Sequence, residues 1–472
     1  MTRLALLSGL GHSMVVIASL LVYLVATRIG QQRRHPSAAL AWVVALIAFP
    51  YGALPLFLLL GSRKFSRPQQ RHAASLLLSA LGDQGTGAAP PEWVTRLLRA
   101  LDLPEAMRNA SAVFQSSGPE SLAVLIATID SARQQLVLST YVLAGDATGQ
   151  QVAQALHRCV ARGVRVRVLI DAVGSLQTPR TLLQDWRSVG IVVRHFMPLL
   201  HNPLYGRSNL RNHRKLVVAD GQRLWSGGRN LADEYFVGKA GQPAWVDLSF
   251  VVEGPLAAQA LAQFDADWRA APGRIRRRSR RLVASPAALP PGPDQAWAQW
   301  IPSGPDHADD TVHALLLSAA FQARESIVAV TPYFVPDDAL LAAWSLACRR
   351  GVRLQLLLPR RSNHRLADWA RERALRQLAQ AGAEIHLLPT MLHAKCVVID
   401  GEWALCGSLN LDARSLFLNY EAMTAFYGQA QVQWLQDWHA AQQALAQPYV
   451  SRQPSWPREI FEGMVRTIAF QL

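Results

Sequence analysis

Two histidines, each with a lysine two positions on, stand twice in the same context. His213-Arg-Lys215 leads into Leu-Val-Val-Ala-Asp220, then six residues, then Gly227-Gly228-Arg-Asn230; His393-Ala-Lys395 leads into Cys-Val-Val-Ile-Asp400, six residues, then Gly407-Ser408-Leu-Asn410. A lone HxK carries no information, but two copies of HxKxxxxDxxxxxxG(G/S)xN at identical spacing are highly specific. Residues two apart on a strand project to one face, so each copy offers an imidazole and an ammonium together, with Arg214 or Ala394 pointing the other way. Two such strands facing across an interface would gather two imidazoles and two ammoniums around one space. That arrangement suits a phosphodiester. One neutral imidazole, of unperturbed pKa near ~6.5, attacks phosphorus and forms a phosphohistidine, while the other, protonated, gives its proton to the departing alcohol. Lys215 and Lys395, with Asn230, Ser408 and Asn410, are expected to stabilise charge on the phosphate oxygens, a task elsewhere given to metals. This chemistry needs no cofactor, and no carboxylates are spaced as metal ligands.

The attacking imidazole needs a carboxylate on its other nitrogen to fix its tautomer. Asp247, in Ala-Trp-Val-Asp247, follows the first motif, and Glu421, in Leu-Asn-Tyr-Glu421, follows the second. Asp220 and Asp400 complete the catalytic motifs, although their places at strand ends suit tying the next turn better than touching substrate.

The elements that must position these groups are duplicated as well. Ser131-Ala-Arg runs toward Leu136-Val-Leu-Ser-Thr-Tyr141, and Ala323-Arg-Glu toward Ile327-Val-Ala-Val-Thr-Pro-Tyr333. Arg162-Gly-Val-Arg-Val-Arg-Val-Leu-Ile170 and Arg350-Gly-Val-Arg-Leu-Gln-Leu-Leu-Leu358 both read as helix end, glycine, strand. A third strand is expected at Val192 to Phe196 and again at Glu384 to Leu388, ahead of Pro198 and Pro389. Strands alternating with helical stretches at Gly149 to Arg162 and Asp338 to Arg350 imply an α/β layer structure in each half. Two such sandwich units related by a pseudo-twofold axis would share one symmetric site.

The chain of 472 residues, with a formal net charge of +15, fits several folded units and an anionic partner. Its four cysteines, Cys159, Cys348, Cys396 and Cys406, form no CxxC pair and read as reduced, mostly buried residues. Two apolar runs, Leu4 to Thr27 and Ala38 to Leu60, read as a two-span transmembrane hairpin, the second carrying Pro50 and Pro55. The basic residues outside it lean slightly toward cytoplasmic catalytic units. The expected organisation is a hairpin over 1–62, a linker over 63–110, a first unit over 111–271, an Arg/Pro-rich linker over 272–298 and a second unit over 299–472.

These residues resemble the doubled HKD motif of the phospholipase D superfamily. The apolar N-terminal segment, Pro36-Ser-Ala-Ala-Leu-Ala-Trp42, Phe49-Pro-Tyr51 and Asn212-His213-Arg-Lys215 narrow the resemblance to bacterial cardiolipin synthases. The resemblance implies phospholipase D-like units, and a phosphatidyl group moved from one phosphatidylglycerol to the hydroxyl of another, giving cardiolipin and glycerol. It implies His213 as nucleophile, His393 as general acid and base, phosphate binding by Lys215, Lys395, Asn230 and Asn410, and imidazole orientation by Asp247 and Glu421. Its partners would be anionic phospholipids, phosphatidylglycerol and cardiolipin, at a bacterial inner membrane; no nucleic acid is expected. The alternative is a membrane-tethered phospholipase D, or a phosphodiesterase or nuclease, in which water takes the acceptor's place. Gly228 departs from the commoner Gly-Ser and removes one hydroxyl donor from the first half.

Overall fold

The computed structural model of the protein describes residues 3–29, 36–60, 89–198, 209–239, 241–271, 296–307 and 309–469. Two mixed sheets carry the chain. The first has seven strands in the spatial order Ser111–Gln115, Ser249–Glu253, Arg223–Gly227, Leu216–Ala219, Gln135–Thr140, Arg165–Asp171 and Val192–Phe196. The second repeats that order with Ala296–Ser303, Glu421–Phe426, Trp403–Gly407, Cys396–Ile399, Ser326–Val330, Arg353–Pro359 and Glu384–Leu388, and adds a short strand at each edge. Parallel pairing on one side of each sheet and antiparallel pairing on the other recur in both, so the duplication read in the sequence is a duplication of topology.

Local sequence sets the elements in both halves by the same means. Asp146 accepts from the Gly149 amide to cap the helix Ala147–Ala161, and Asp337 accepts from the Ala339 and Leu340 amides to cap Asp338–Arg349. Each helix ends on a glycine with positive φ, Gly163 at 80° and Gly351 at 95°, and the chain turns directly into the next strand. The outer faces are apolar helical layers: one core gathers Leu122, Leu156 and Trp186 beneath the first sheet, another Leu315, Trp344 and Leu375 beneath the second.

Between the sheets lies a shared core containing Phe114, Phe250, Phe264, Phe426 and Leu435. The ring of Phe114, on the first sheet, stacks 5.0 Å from Trp434 and meets Phe426 of the second at 4.9 Å. Two helices, Pro255–Ala270 and Gln429–Ala444, fill this layer, each packing against strands of both sheets. The halves are therefore fused by burial, and the site between them rests on a rigid seam.

One charged cluster crosses the same seam. Arg214, fully buried, donates to Asp267 at 2.5 Å, to Asp306 at 3.0 and 3.1 Å, and to the carbonyls of Ser303 and Glu421 at 3.1 and 2.9 Å. A planar guanidinium that is always charged can satisfy five acceptors at once, which lysine cannot. Removing it strands the buried carboxyl of Asp267 and the partly buried one of Asp306. Arg214→Met is expected to destabilise the fold by about 3–5 kcal/mol, read as a lower denaturant midpoint.

The linker expected over 63–110 is corrected for its described part. Helix Glu92–Ala100 buries Val94 and Leu98 in the outer core of the second unit, with Trp93 packed 5.8 Å from Trp403. Strand Met107–Asn109 then extends the second sheet by pairing with Ala296–Ser303, which itself begins ahead of the expected boundary at 299. The basic stretch from Arg63 to Arg71 and the cluster from Arg274 to Arg281 lie outside the described residues.

The N-terminal runs form three helices, Arg3–Ile29, Pro36–Ala48 and Pro50–Leu60. The second run is divided at Phe49, where Pro50 has no amide to donate, although the Phe49 amide still donates to the Ala45 carbonyl and its carbonyl accepts from the Ala53 amide, both at 2.8 Å. Tyr23, Leu46, Ala53 and Phe57 pack the three together, and Leu10, Met14, Ile17, Leu40, Val44 and Tyr51 stay exposed. Among the described residues no helix is long and apolar enough to cross a membrane.

Candidate active site

The two motifs meet at the seam. His213 and His393 stand in extended segments just ahead of strands Leu216–Ala219 and Cys396–Ile399, not inside the ladders as the strand pattern suggested. Their backbones pair with the opposite half. The His213 amide donates to the Tyr420 carbonyl at 2.9 Å, and the His393 amide to the Val246 carbonyl at 2.7 Å. Two isolated parallel bridges, Asn212 with Tyr420 and Val246 with Leu392, complete this symmetric exchange.

The carboxylates are exchanged in the same way. Nδ1 of His393 lies 2.7 Å from Asp247 of the first half, and Nδ1 of His213 lies 3.2 Å from Glu421 of the second. Each imidazole is thus oriented by the acid that follows the other motif. An Nδ1–H donated to a carboxylate leaves Nε2 as the nitrogen that acts on substrate. Burial pushes the His393 imidazole down to about 4, with the Lys395 ammonium adding to it, and burial likewise lowers His213 against the pull of Glu421. Burial alone would raise the two carboxyls, but the imidazole each one faces and the nearby lysines outweigh it and hold both below their ordinary range. The resting site therefore holds two carboxylates and two neutral imidazoles.

Both lysines fold back on their own motif. Lys215 Nζ donates to the His213 carbonyl at 2.7 Å, and Lys395 Nζ to the carbonyl of His393. Lys395 Nζ also lies 2.9 and 3.1 Å from the two ring nitrogens of His393. With Nδ1–H given to Asp247, the 3.1 Å contact is the one that can carry a hydrogen bond, from the ammonium to Nε2. Burial brings Lys395 down to about 7 and Lys215 to about 8, and each of them feels both Asp247 and Glu421. Lys395 and His393 also feel the charge of Lys215, so the two motifs act on each other across the seam.

The remaining motif residues divide. Asn230 donates to the Tyr235 hydroxyl at 2.8 Å, and Asn410, at the same place in the second copy, donates to the Ser415 hydroxyl at 3.3 Å. Oδ1 of Asn410 is buried without a hydrogen-bond partner. Ser408 does not face a phosphate position: its hydroxyl donates to Glu421 at 2.5 Å and accepts from the Ala422 amide at 3.0 Å. Its expected role as a phosphate ligand is corrected to support of the carboxylate behind His213. Asp220 and Asp400, counted with the catalytic motifs, take the tying role that their places at strand ends suited. The carboxylate of Asp220 accepts from the amides of Arg133, Gln134 and Gln135 at 2.7–2.9 Å, and that of Asp400 from Arg324, Glu325 and Ser326 at 2.8–2.9 Å. Three amide donors occupy most of the acceptor sites of each carboxylate and staple each motif strand to the strand beside it. Both aspartates take positive φ, 53° and 51°, a conformation this short polar side chain tolerates.

The description "Cardiolipin synthase, PLD-like domain" matches residues 125–268 and 316–441, the two repeated units. Cardiolipin synthase A of Escherichia coli O1:K1 / APEC is 30% identical over 433 residues, 86% of each chain. The chain belongs to the cardiolipin synthase family of phospholipase D-like enzymes. The fold has a solved counterpart in the phosphatidylserine synthase of Haemophilus influenzae Rd KW20, with a TM-score of 0.61 at 15% identity, covering 80% of this chain and 99% of that one.

For this member of the cardiolipin synthase family, the crossed acids also explain the Gly228 departure. A Cβ on Gly228 would lie 2.2 Å from Oδ1 of Asp247, so the glycine makes room for the shorter acid where Ser408 supports the longer one. Gly228→Ser is expected to push Asp247 off His393 and lower turnover by about 10²-fold, the cost of roughly an ångström of misplacement. Turnover and circular dichroism measured together separate this from misfolding.

Several residues about the imidazoles carried no motif. The Tyr141 ring lies 4.0 Å from that of His213, while Tyr235 and Trp245 flank His393 at 5.0 and 5.6 Å. Asn419 donates to Glu421 at 3.2 Å, and its amide nitrogen lies 3.4 Å from Nδ1 of His213. Tyr141 alone had a visible signature, since it ends a strand that is duplicated at Tyr333.

Proposed function

We propose that the enzyme makes cardiolipin and glycerol from two molecules of phosphatidylglycerol through a phosphohistidine. The observation that supports this reading is the crossed pair of acids, Asp247 on His393 and Glu421 on His213, which draws both motifs to the seam. His213 Nε2 attacks phosphorus, the bond to the glycerol oxygen breaks, and His393 gives that oxygen its proton. The second phosphatidylglycerol then presents a hydroxyl, His393 takes its proton, and the new phosphorus–oxygen bond forms as the phosphorus–nitrogen bond breaks. His393 is neutral at rest, so it takes up a proton from solvent at Nε2 once the anionic diester draws the Lys395 ammonium from the ring, and the hydroxyl of the second lipid returns that proton at the end of the cycle. Lys215 and Lys395, with Asn230 and Asn410, hold the equatorial oxygens.

Attachment to a membrane is supported by the N-terminal helices. Their exposed leucine, isoleucine, valine and aromatic side chains form an apolar surface that water disfavours and a bilayer accepts. They insert as a helical anchor whose second arm bends at Phe49. The units beyond it work on anionic lipid at the bacterial inner membrane, on its cytoplasmic face.

Labelled phosphatidylglycerol in mixed micelles tests the reaction. Cardiolipin and free glycerol in equal amounts are expected; phosphatidic acid without cardiolipin would mean that water is the acceptor. The pH profile tests the lysines. The protonated fraction of His393 in the free enzyme already falls with pH above about 4, and above about 7–8 the loss of the ammonium charges of Lys395 and then Lys215 steepens the fall of kcat/KM. A bound diester favours the ammonium form, so the alkaline limb of kcat lies at higher pH than that of kcat/KM. The acid limb lies below the ordinary imidazole value of ~6.5, because burial depresses His213. Coincident alkaline limbs would show that neither lysine touches the phosphate.

A further inference from the structure

Two strand residues past Asn410, the fold builds a small second layer over the site. Strand Leu411–Asp412 pairs in parallel with Phe334–Val335, which follows Tyr333 directly. Helix Arg365–Ala370 lies on that pair, and Val335, Ala370 and Val465 form a separate apolar cluster joining it to the C-terminal helix Trp456–Ala469. The Tyr333 hydroxyl donates to Asn363 at 2.5 Å and its ring meets His364 at 5.5 Å, just ahead of the first of these helices. Burial, followed by the charge of Asp412, raises the Tyr333 phenol, and Tyr141 beside His213 contributes to the same field. The layer therefore starts directly from the second motif, since Leu411 follows Asn410 in the chain.

Its outer side is apolar and exposed. Trp369 is 47% exposed and packs 4.8 Å from Phe461, which is 43% exposed; Leu366 beside them is 40% exposed, and Trp456 opens the C-terminal helix at 75%. Around them stand the exposed arginines Arg361, Arg365 and Arg373. The acids nearby are largely committed. Asp368 pairs with Arg371 at 3.1 Å, and the buried Glu462 takes Arg376 at 2.5 Å and Arg458 at 2.9 Å, leaving Glu459 exposed. Glu462 pins the C-terminal helix so that Phe461 meets Trp369 on the outside and Val465 faces in. Tryptophans with an arginine rim match the boundary of an anionic bilayer, where indole sits at headgroup depth and each basic residue contributes on the order of 1 kcal/mol.

We propose that the paired helices Arg365–Ala370 and Trp456–Ala469 form a docking face for an anionic lipid leaflet, seating the mouth of the site at the plane of the phosphates. This rests on the lipid reading of the site, and it names a second membrane contact distinct from the N-terminal helices. Hydrogen exchange on the full chain tests it in vesicles of phosphatidylglycerol with phosphatidylcholine, in phosphatidylcholine alone, and in detergent. Exchange over 365–370 and 456–469 is expected to slow about tenfold only where phosphatidylglycerol is present. Equal exchange in all three overturns the proposal. So does protection in detergent that grows with protein concentration, since a second copy would then cover the face.

The double variant Trp369→Ser with Phe461→Ser is expected to keep its turnover on a dispersed short-chain phosphatidylglycerol and to lose about tenfold in kcat/KM on vesicles. Equal loss on both substrates means a structural role and overturns the docking face. If the unaltered enzyme makes no cardiolipin from either substrate, the functional reading fails, and the exchange data still decide the docking face.

Discussion

Replacing either His213 or His393 with alanine is expected to lower cardiolipin formation at saturating lipid by at least about 10⁴-fold, with the chain still folded. The two losses have different causes, and the leaving group separates them. A diester whose alcohol leaves as a stable anion needs no proton from His393, so His393→Ala should recover a burst of that alcohol, while His213→Ala should not. A burst in His213→Ala and none in His393→Ala would reverse the two roles. Substantial cardiolipin from either variant would defeat the shared site altogether.

Neutralising the acids should be nearly as damaging. Asp247→Asn and Glu421→Gln keep size and most contacts, but each amide can present its NH₂ to Nδ1 and stabilise the wrong tautomer, for a loss of about 10²–10⁴ in turnover. The crossing decides which variant behaves as which histidine. Asp247→Asn should show the activated-leaving-group burst, like His393→Ala, and Glu421→Gln should not, like His213→Ala. The opposite pattern is what acids serving their own halves would give. Ser408→Ala should resemble a mild Glu421 variant, since its hydroxyl holds that carboxylate.

Much of this architecture was legible in the order of residues. Histidine and lysine at a fixed interval before Asp220 and Asp400 located the strands, and the repeated Arg-Gly-Val after a helix located the turn into the next one, because only glycine meets the left-handed backbone there at no cost. What could not be read was contact across the seam. Asp247 precedes His393 by a long stretch of chain, and nothing in their local context says that this acid, and not Glu421, reaches that ring. Arg214 looked like the outward residue between two inward ones; its surroundings are supplied by Asp267 and Asp306, which have no spacing relation to it. Polar character at Ser408 suggested a donor to phosphate, but a hydroxyl serves whichever acceptor the fold brings within reach. Helix Glu92–Ala100 was hidden by the glycine and proline residues before it, and by a partner surface lying hundreds of residues downstream.

Because each imidazole borrows its acid from the opposite half, neither unit holds a competent half-site of its own. Parting the seam would release both histidines from their partners in one event, so catalysis here is a direct gauge of how tightly the two units are joined. A single unit with this exchange would work only as a pair, whereas two copies in one chain keep each acid beside its imidazole at any protein concentration.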